Sequence, residues 1–416
     1  MSQGASVRHP FLRITLPLSG VNFLTQASRA VLSVVGPVLA VQYGLSASEL
    51  GLLGAVMFAA YGLWQLPVGL LLDLYGPRKV QTCMAVVAAA GFAAFALADG
   101  MTGFMLARAL MGIGVASGLM AVLKANSLWF ERHQVAGITG IAMLVGGAGG
   151  LVATAPAHAV LPLIGWRGIF WVLTALALIA AAACWLSVRE PARPPGARRR
   201  SVAEELGVIR AIYVNPVFWR FTPVVILLTI INFSYQGLWA GPWLRDVAGQ
   251  DGVARATTLF CFALGLMAGA FTNGQLGTRL QARGYSPMTM PFVSAVGLVA
   301  VQLALLCEPT NRLLVTFLWG LFPFFASGGP TGYAGIAQIF PVEQMGRVST
   351  AINTLALAGA FALQTAIGAI LDLWPRTASG GWATAGYGWA LALSIALQVA
   401  ALVWAALPRH RHRHRR

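Results

Sequence analysis

Apolar residues run through this chain in long unbroken blocks, interrupted by short polar or Gly/Pro-rich stretches, and the pattern repeats along the whole length. A block of about 20 apolar residues crosses a hydrocarbon layer of about 30 Å as a helix. The blocks predict twelve spans at 12–42, 48–72, 79–98, 102–130, 134–163, 167–187, 216–245, 253–280, 287–306, 311–340, 345–373 and 383–407. Within each block the apolar positions are continuous and do not alternate with period two, which excludes a β-barrel. The expected fold class is therefore an all-α membrane protein.

One longer polar stretch divides the pattern. Between Ser187 and Asn215 stand Pro191, Pro194, Pro195 and Gly196, then three consecutive arginines at 198–200, then Glu204 and Glu205. This separates an N-terminal six-helix half (1–187) from a C-terminal six-helix half (216–407) by a linker over 188–215, and a basic tail follows at 408–416. The Pro-Pro-Gly part is expected to be extended, with a short amphipathic helix from Val202 to Ile212 on the membrane surface. The halves also repeat each other in constant register. Val21, Asn22, Phe23 and Gln26 match Ile231, Asn232, Phe233 and Gln236, and at the same offset Phe130 and Gln134 match Phe340 and Gln344. Two pseudo-symmetric halves with a site between them are the build of a rocking carrier.

Composition agrees: of 416 residues, 58% are hydrophobic and 10% charged, too apolar a balance for a soluble chain of this length. The formal charge of +16 would suggest nucleic acid in a soluble protein. Here the basic residues crowd the ends that the spans share with both termini, whereas only Arg167, Arg245, Arg255, Arg312 and Arg376 fall on the other side. That asymmetry predicts an inner-membrane protein with both termini cytoplasmic, and leaves no need for a nucleic-acid partner. The basic tail is expected to lie against acidic lipid. No short apolar core with a small-residue cleavage site begins the chain, so the first span is expected to act as its own insertion signal. Cys83, Cys184, Cys261 and Cys307 lack metal or disulfide spacing and read as small packing residues.

The chemistry centres on Arg29, near the middle of the first span, with no carboxylate embedded at comparable depth anywhere in the chain. A charge at the centre of a spanning helix costs roughly 2.5–3.5 kcal/mol even on lenient scales. A cation without an internal anion points to an anionic ligand. Asn22, Gln26, Arg29 and Ser33 share one helical face, and the seventh span offers Asn232, Tyr235, Gln236, Trp239 and Trp243 at equivalent spacing. These two stripes are expected to line one cavity, joined by Asn353 and Gln364 from span eleven and by Arg108 as a second contact. The other reading is helix-to-helix hydrogen bonding, with Arg108 held by backbone carbonyls. Lys124, near the end of span four, is expected to snorkel to water. His158 is the one histidine inside a predicted span and the one candidate for proton coupling. The glycines of span five read as a close-packing surface.

The loop from Gly69 to Lys79, with Asp73, Gly76 and Arg78, resembles the signature loop of the major facilitator superfamily: a glycine, an acid, a second glycine and a basic pair. Leu74 stands where a basic residue usually follows the acid, and Thr278 replaces the acid in the corresponding loop of the second half. Arg108 with Gly112 and Gly114 is similar to the superfamily's span-four arginine motif, and Gly165-Trp166-Arg167 to its span-five to span-six turn. The resemblance implies the major facilitator fold, twelve helices in two six-helix halves, with Gly69, Asp73, Gly76, Arg78 and Lys79 as gating residues and Asp73 with Arg78 holding the closed cytoplasmic side. Arg29 with Phe58, Tyr61, Gln65, Pro67 and Gly69 is similar to the organic-anion branch of anion:cation symporter type. In that branch an acid commonly precedes the arginine; Ser28 stands here, which argues against proton symport. No Gly-Pro pair marks span five, as drug antiporters would require.

The expected protein is a monomeric secondary transporter, not an enzyme. It needs no cofactor or metal, and moves a small organic anion, a carboxylate or phosphate ester, by alternating access. Two other readings stay open: an exporter of hydrophobic or cationic compounds with a structural Arg29, and an anion-sensing membrane receptor that does not transport.

Overall fold

Helices account for nearly all of the computed structural model, which describes residues 9–189, 202–341, 344–377 and 380–407. Most of the Pro-Pro-Gly and arginine part of the linker, and the basic tail, lie outside the described residues. Ten helices are long and apolar enough to cross a membrane. A bend in one of them, and the shorter helix Arg132–Val152 joined to the first part of Ala155–Ser187 as span 5, complete the twelve expected spans. Ala47–Leu97 is two spans folded at Gly76, where φ is 79°, and Ala155–Ser187 is bent at Gly165, where φ is 66°. Both lie in the left-handed region that residues with a Cβ avoid, so glycine stands at each turn.

Span 1 runs over residues 11–43, span 2 from Ala47 to the Gly76 bend, span 3 from there to Leu97, and span 4 over residues 101–129. Span 5 begins at Arg132 and reaches the Gly165 bend, and span 6 ends at Ser187. The second half continues with span 7 (216–246), span 8 (Gly252–Ala282), span 9 (Thr289–Leu306), span 10 (312–337), span 11 (Met345–Leu371) and span 12 (Thr384–Ala406). Twelve alternating crossings put residues 9 and 407 on one side, called here the terminal side; the opposite side is the far side.

The sequence marks the helix starts. Ser46 and Glu49 form a capping box on span 2, Asn215 accepts from Val217 N at 2.9 Å, Asp251 from Ala254 N at 2.8 Å, and Asn311 from Leu314 N at 3.0 Å. The amide bond from Ala254 holds the exposed Asp251 carboxyl below its ordinary range. The linker ends in the helix Val202–Val214, and the Tyr213 hydroxyl donates to Ala351 O at 3.1 Å, tying it to span 11. Burial raises that phenol above its ordinary value.

Small residues decide how closely the spans approach, because lipid offers helices no hydrophobic reward for associating. A Cβ on Gly114 of span 4 would lie 2.2 Å from Ala88 N of span 3, and one on Gly112 would lie 2.4 Å from Met57 O of span 2. Span 5 meets span 1 the same way: a Cβ on Gly149 would lie 2.0 Å from Phe23 O. Gly69, by contrast, has nothing within 4 Å of its Cβ position. Gly114→Ala should therefore lower stability by about 1–3 kcal/mol through overpacking. Gly69→Ala should leave the melting temperature in detergent unchanged. Thermal unfolding of the two variants checks both, and equal melting temperatures would sink the close-packing account.

Candidate functional site

Arg29 lies where the two halves meet and is 7% exposed. Its Nη1 donates to Gln26 Oε1, one turn earlier, at 3.2 Å. Three aromatic rings surround the guanidinium: Phe233 of span 7 at 4.4 Å, Tyr61 at 5.1 Å and Phe58 at 5.9 Å, the last two from span 2. Phe58 and Phe233 stack on each other across the halves, with centroids 5.5 Å apart and planes 8° from parallel. Cation–π contacts of this kind contribute about 0.5–2 kcal/mol each, which eases the burial without neutralising the charge. Nε has no hydrogen-bond partner, and among the described residues no salt bridge reaches this side chain.

Among the amides, Gln26 is the one in recorded contact with the guanidinium, and the others are placed by their own neighbours. Asn22 lies against Gly146 of span 5, where a Cβ would fall 2.1 Å from its Nδ2. Asn232 Nδ2 donates to Gln236 Oε1 at 3.3 Å, while Asn232 Oδ1 is left without a donor. Gln236 sits next to Gly150, so the glycine face of span 5 meets both polar stripes. Gln364 of span 11 is fully buried against Gly54 and Gly237, with neither amide atom hydrogen-bonded.

Other expected members are elsewhere. Arg108 donates from Nη1 to Ser28 O at 2.9 Å and from Nε to Leu53 O at 3.3 Å, so it ties spans 1, 2 and 4 together through backbone carbonyls and does not join Arg29. Tyr235 turns into the core of the second half, onto Phe322 at 5.1 Å and Trp319 at 5.8 Å. Trp239 lies toward the far side, its Nε1 donating to Gln364 O at 3.1 Å. Asn353 is half-buried nearer the terminal side of span 11. A shared helical stripe sets direction, but a bundle gives every stripe several neighbours.

The signature loop also differs from expectation. Asp73 forms its ion pair with Lys124, whose Nζ also donates to Leu72 O at 2.7 Å, so Lys124 does not merely snorkel. Arg78 turns away from Asp73. Its Nε donates to Trp185 O at 2.9 Å and its guanidinium lies 4.6 Å from the Trp185 ring. The reason is the Gly76 bend: it aims Arg78 at span 6 and leaves Asp73 facing span 4. Lys79 is exposed, and no helix approaches Gly69 in this state.

The far side is where the halves close. Asp372, just past span 11, accepts from Ala47 N at 2.9 Å and Ser48 N at 2.7 Å, capping span 2 across the seam. Gly368 abuts the Ala47 carbonyl, Gly51 the Gln364 carbonyl and Gly241 the Ser33 carbonyl. His158, at the far-side end of span 5, abuts Gly252 at the start of span 8 and lies in the fields of Arg255 and Asp251. On the terminal side, a cavity of about 650 Å³ opens between spans 1, 4 and 5, lined by Pro10, Trp129, Phe130, Gln134 and Ile138 among others. The role of Asp372 escaped the sequence reading, although one signal was present. An acid at a helix C-terminus opposes its own helix dipole, and so implies a partner elsewhere.

Comparison with known proteins places this geometry. Residues 18–363 match the family model described as Major Facilitator Superfamily. The chain is 26% identical to the probable nitrate/nitrite antiporter NarK1 of Thermus thermophilus, over 61% of this chain and 59% of that protein. It is 24% identical to the probable sulfoacetate transporter SauU of Cupriavidus necator, over 68% and 67% respectively. In fold it is similar to a bacterial homologue of the human lysosomal transporter Spinster, solved in an inward-facing, unoccupied conformation, with TM-score 0.80 and 17% identity over 96% of this chain and 97% of that one.

The seam yields a prediction. Asp372→Ala removes both acceptors from span 2 and should loosen the far side by about 1 kcal/mol. Ala47→Cys, buried in the native seam, should then react several-fold faster with a membrane-impermeant maleimide. Unchanged labelling would reject Asp372 as a latch.

Proposed function

The chain belongs to the Major Facilitator Superfamily and is a multi-pass membrane transporter, and we propose that it carries a small organic anion by alternating access of its two halves. The observation that carries this reading is the buried, carboxylate-free Arg29, aimed into the interface between the halves with one nitrogen unsatisfied. A guanidinium in that condition gains most from a carboxylate or an acidic phosphate, which it engages through two parallel hydrogen bonds. Arg29 would hold the anionic group, with Gln26, Asn22, Asn232, Gln236 and Gln364 offering neutral donors and acceptors around it. The names of the two relatives, both for anions, support the same class.

The cycle follows from the contacts. With basic residues concentrated on the terminal side, that side faces the cytoplasm of an inner membrane. The far side is sealed by Asp372 and by the glycine contacts of spans 2, 7 and 11, so the anion meets Arg29 from the cytoplasmic side in this state. Opening outward parts the seam between spans 2 and 11. The signature loop then approaches the second half, where the open space at Gly69 accepts a helix.

No titratable acid lies beside Arg29 among the described residues, so movement is read as anion exchange or facilitated passage rather than proton symport through the site. Anion exchange in proteoliposomes should fall at least about 10-fold in Arg29→Gln, with Arg29→Lys between it and wild type, because lysine keeps the charge and loses the fork. Undiminished anion uptake by Arg29→Gln would return the site to an exporter of apolar or cationic compounds, and binding without flux would make the protein a sensor. His158→Gln should leave exchange at the wild-type rate. Loss of pH-driven uptake alone in that variant would assign coupling to His158.

A further inference from the structure

Three cations within the predicted spans bear on the site, all among the described residues: Arg29 and Arg108 at depth, and Lys124 nearer an end. Two of them are held by backbone carbonyls or a carboxylate. Arg108 is 1% exposed and donates from Nη1 and Nε to the Ser28 and Leu53 carbonyls. Lys124 holds the Asp73 carboxylate and the Leu72 carbonyl at the terminal-side end of span 4. Of the three cations, Arg29 is the one with a buried nitrogen that no partner reaches, at the interface between the halves.

The second half supplies no substitute. At the constant offset that relates the halves, Arg29, Arg108 and Lys124 correspond to Trp239, Leu318 and Ala334. The duplication therefore put a formal positive charge on one wall of the site and none on the other. Around the guanidinium, Phe58, Tyr61 and Phe233 take up the space on three sides. Aromatic faces are electronegative and stabilise a cation, and they offer nothing to a second anionic group. The remaining polar groups are uncharged amides and the Tyr61 and Tyr333 hydroxyls, which solvate hydroxyls and carbonyls but cannot neutralise a charge.

Resting on the reading of Arg29 as the anion's anchor, we infer that the site takes its substrate as a monoanion and discriminates against the dianion of the same carbon skeleton. A carboxylate pairs with Arg29; a second one is desolvated without a counter-charge. A phosphate ester fits in its singly charged form. The names of the two relatives leave the question open, since nitrate carries one charge and sulfoacetate two.

The same argument predicts a dependence on pH that comes from the ligand. The titratable side chains that act on Arg29 are the phenols of Tyr61 and Tyr333, with no carboxylate or imidazole beside it among the described residues. His158 lies at the far-side seam with Asp251 and Arg255, away from the guanidinium. The second pKa of a phosphate ester is about 6, so its monoanion rises from about 1% at pH 8 to about 90% at pH 5.

The test is competition and thermal shift on the full-length protein with matched probes: gluconate against glucarate, 2-hydroxybutyrate against malate, glycerol 3-phosphate at pH 8 and pH 5, and methanesulfonate as a monoanion whose charge is constant with pH. Each dianion should bind at least about 10-fold more weakly than its monoanion partner. Glycerol 3-phosphate should bind more than about 10-fold more tightly at pH 5 than at pH 8, with methanesulfonate unchanged. Arg29→Gln should abolish all these responses. A dianion that binds as tightly as its monoanion partner and depends on Arg29 overturns the charge selection while leaving Arg29 as the anchor. Dianion and monoanion binding that both survive Arg29→Gln, or no response to any monoanion, overturns both.

Discussion

A charge inside a hydrocarbon layer must be compensated locally, because no bulk water is present to do it, and the architecture of this protein follows from how it meets that requirement three times. Arg108 is compensated by backbone carbonyls and so becomes a cross-link among spans 1, 2 and 4. Lys124 is compensated by Asp73 and anchors the signature loop. Arg29 is eased by aromatic faces, which leave its charge formally unpaired. The first two solutions build rigidity into one half; the third leaves an attraction for something brought from outside.

Rigidity within each half and looseness between them have a common physical origin in glycine. Gly112 and Gly114 bring span 4 onto spans 2 and 3 until backbone meets backbone, a contact with little freedom to slide. Across the halves, Gly51, Gly241 and Gly368 also touch backbone, but those contacts cluster on the far side. The polar links recorded there are the Asp372 carboxylate on two amides and the Arg376 guanidinium on the Leu45 carbonyl. An interface closed along one edge by a few such contacts can part as a hinge while each half moves as a body.

Much of the fold was legible in the chain because span length and apolar continuity are local properties: each helix satisfies its own backbone, whatever its neighbours do. The bend at Gly76 was legible as a loop, and the polar face of span 1 as a stripe. The partners were harder. Asp73 and Arg78 are close in sequence, yet the bend between them points one at span 4 and the other at span 6. Tyr235 and Trp239 share a stripe with Gln236, but a stripe about 100° wide on a central helix faces more than one neighbour. Asp372 read as a loop acid because its two amide donors are more than 300 residues away.

The sequence by itself determined that this chain crosses a membrane twelve times in two related halves, and that one arginine is embedded without an internal carboxylate to match it. Both are consequences of composition and period along one dimension. Only the tertiary structure decided which of the embedded cations is left free, which aromatic rings enclose it, and on which side the halves are sealed. Those outcomes depend on distances between helices remote in the chain, and a change of a few ångströms in helix position determines whether a guanidinium finds a carbonyl or waits for a ligand.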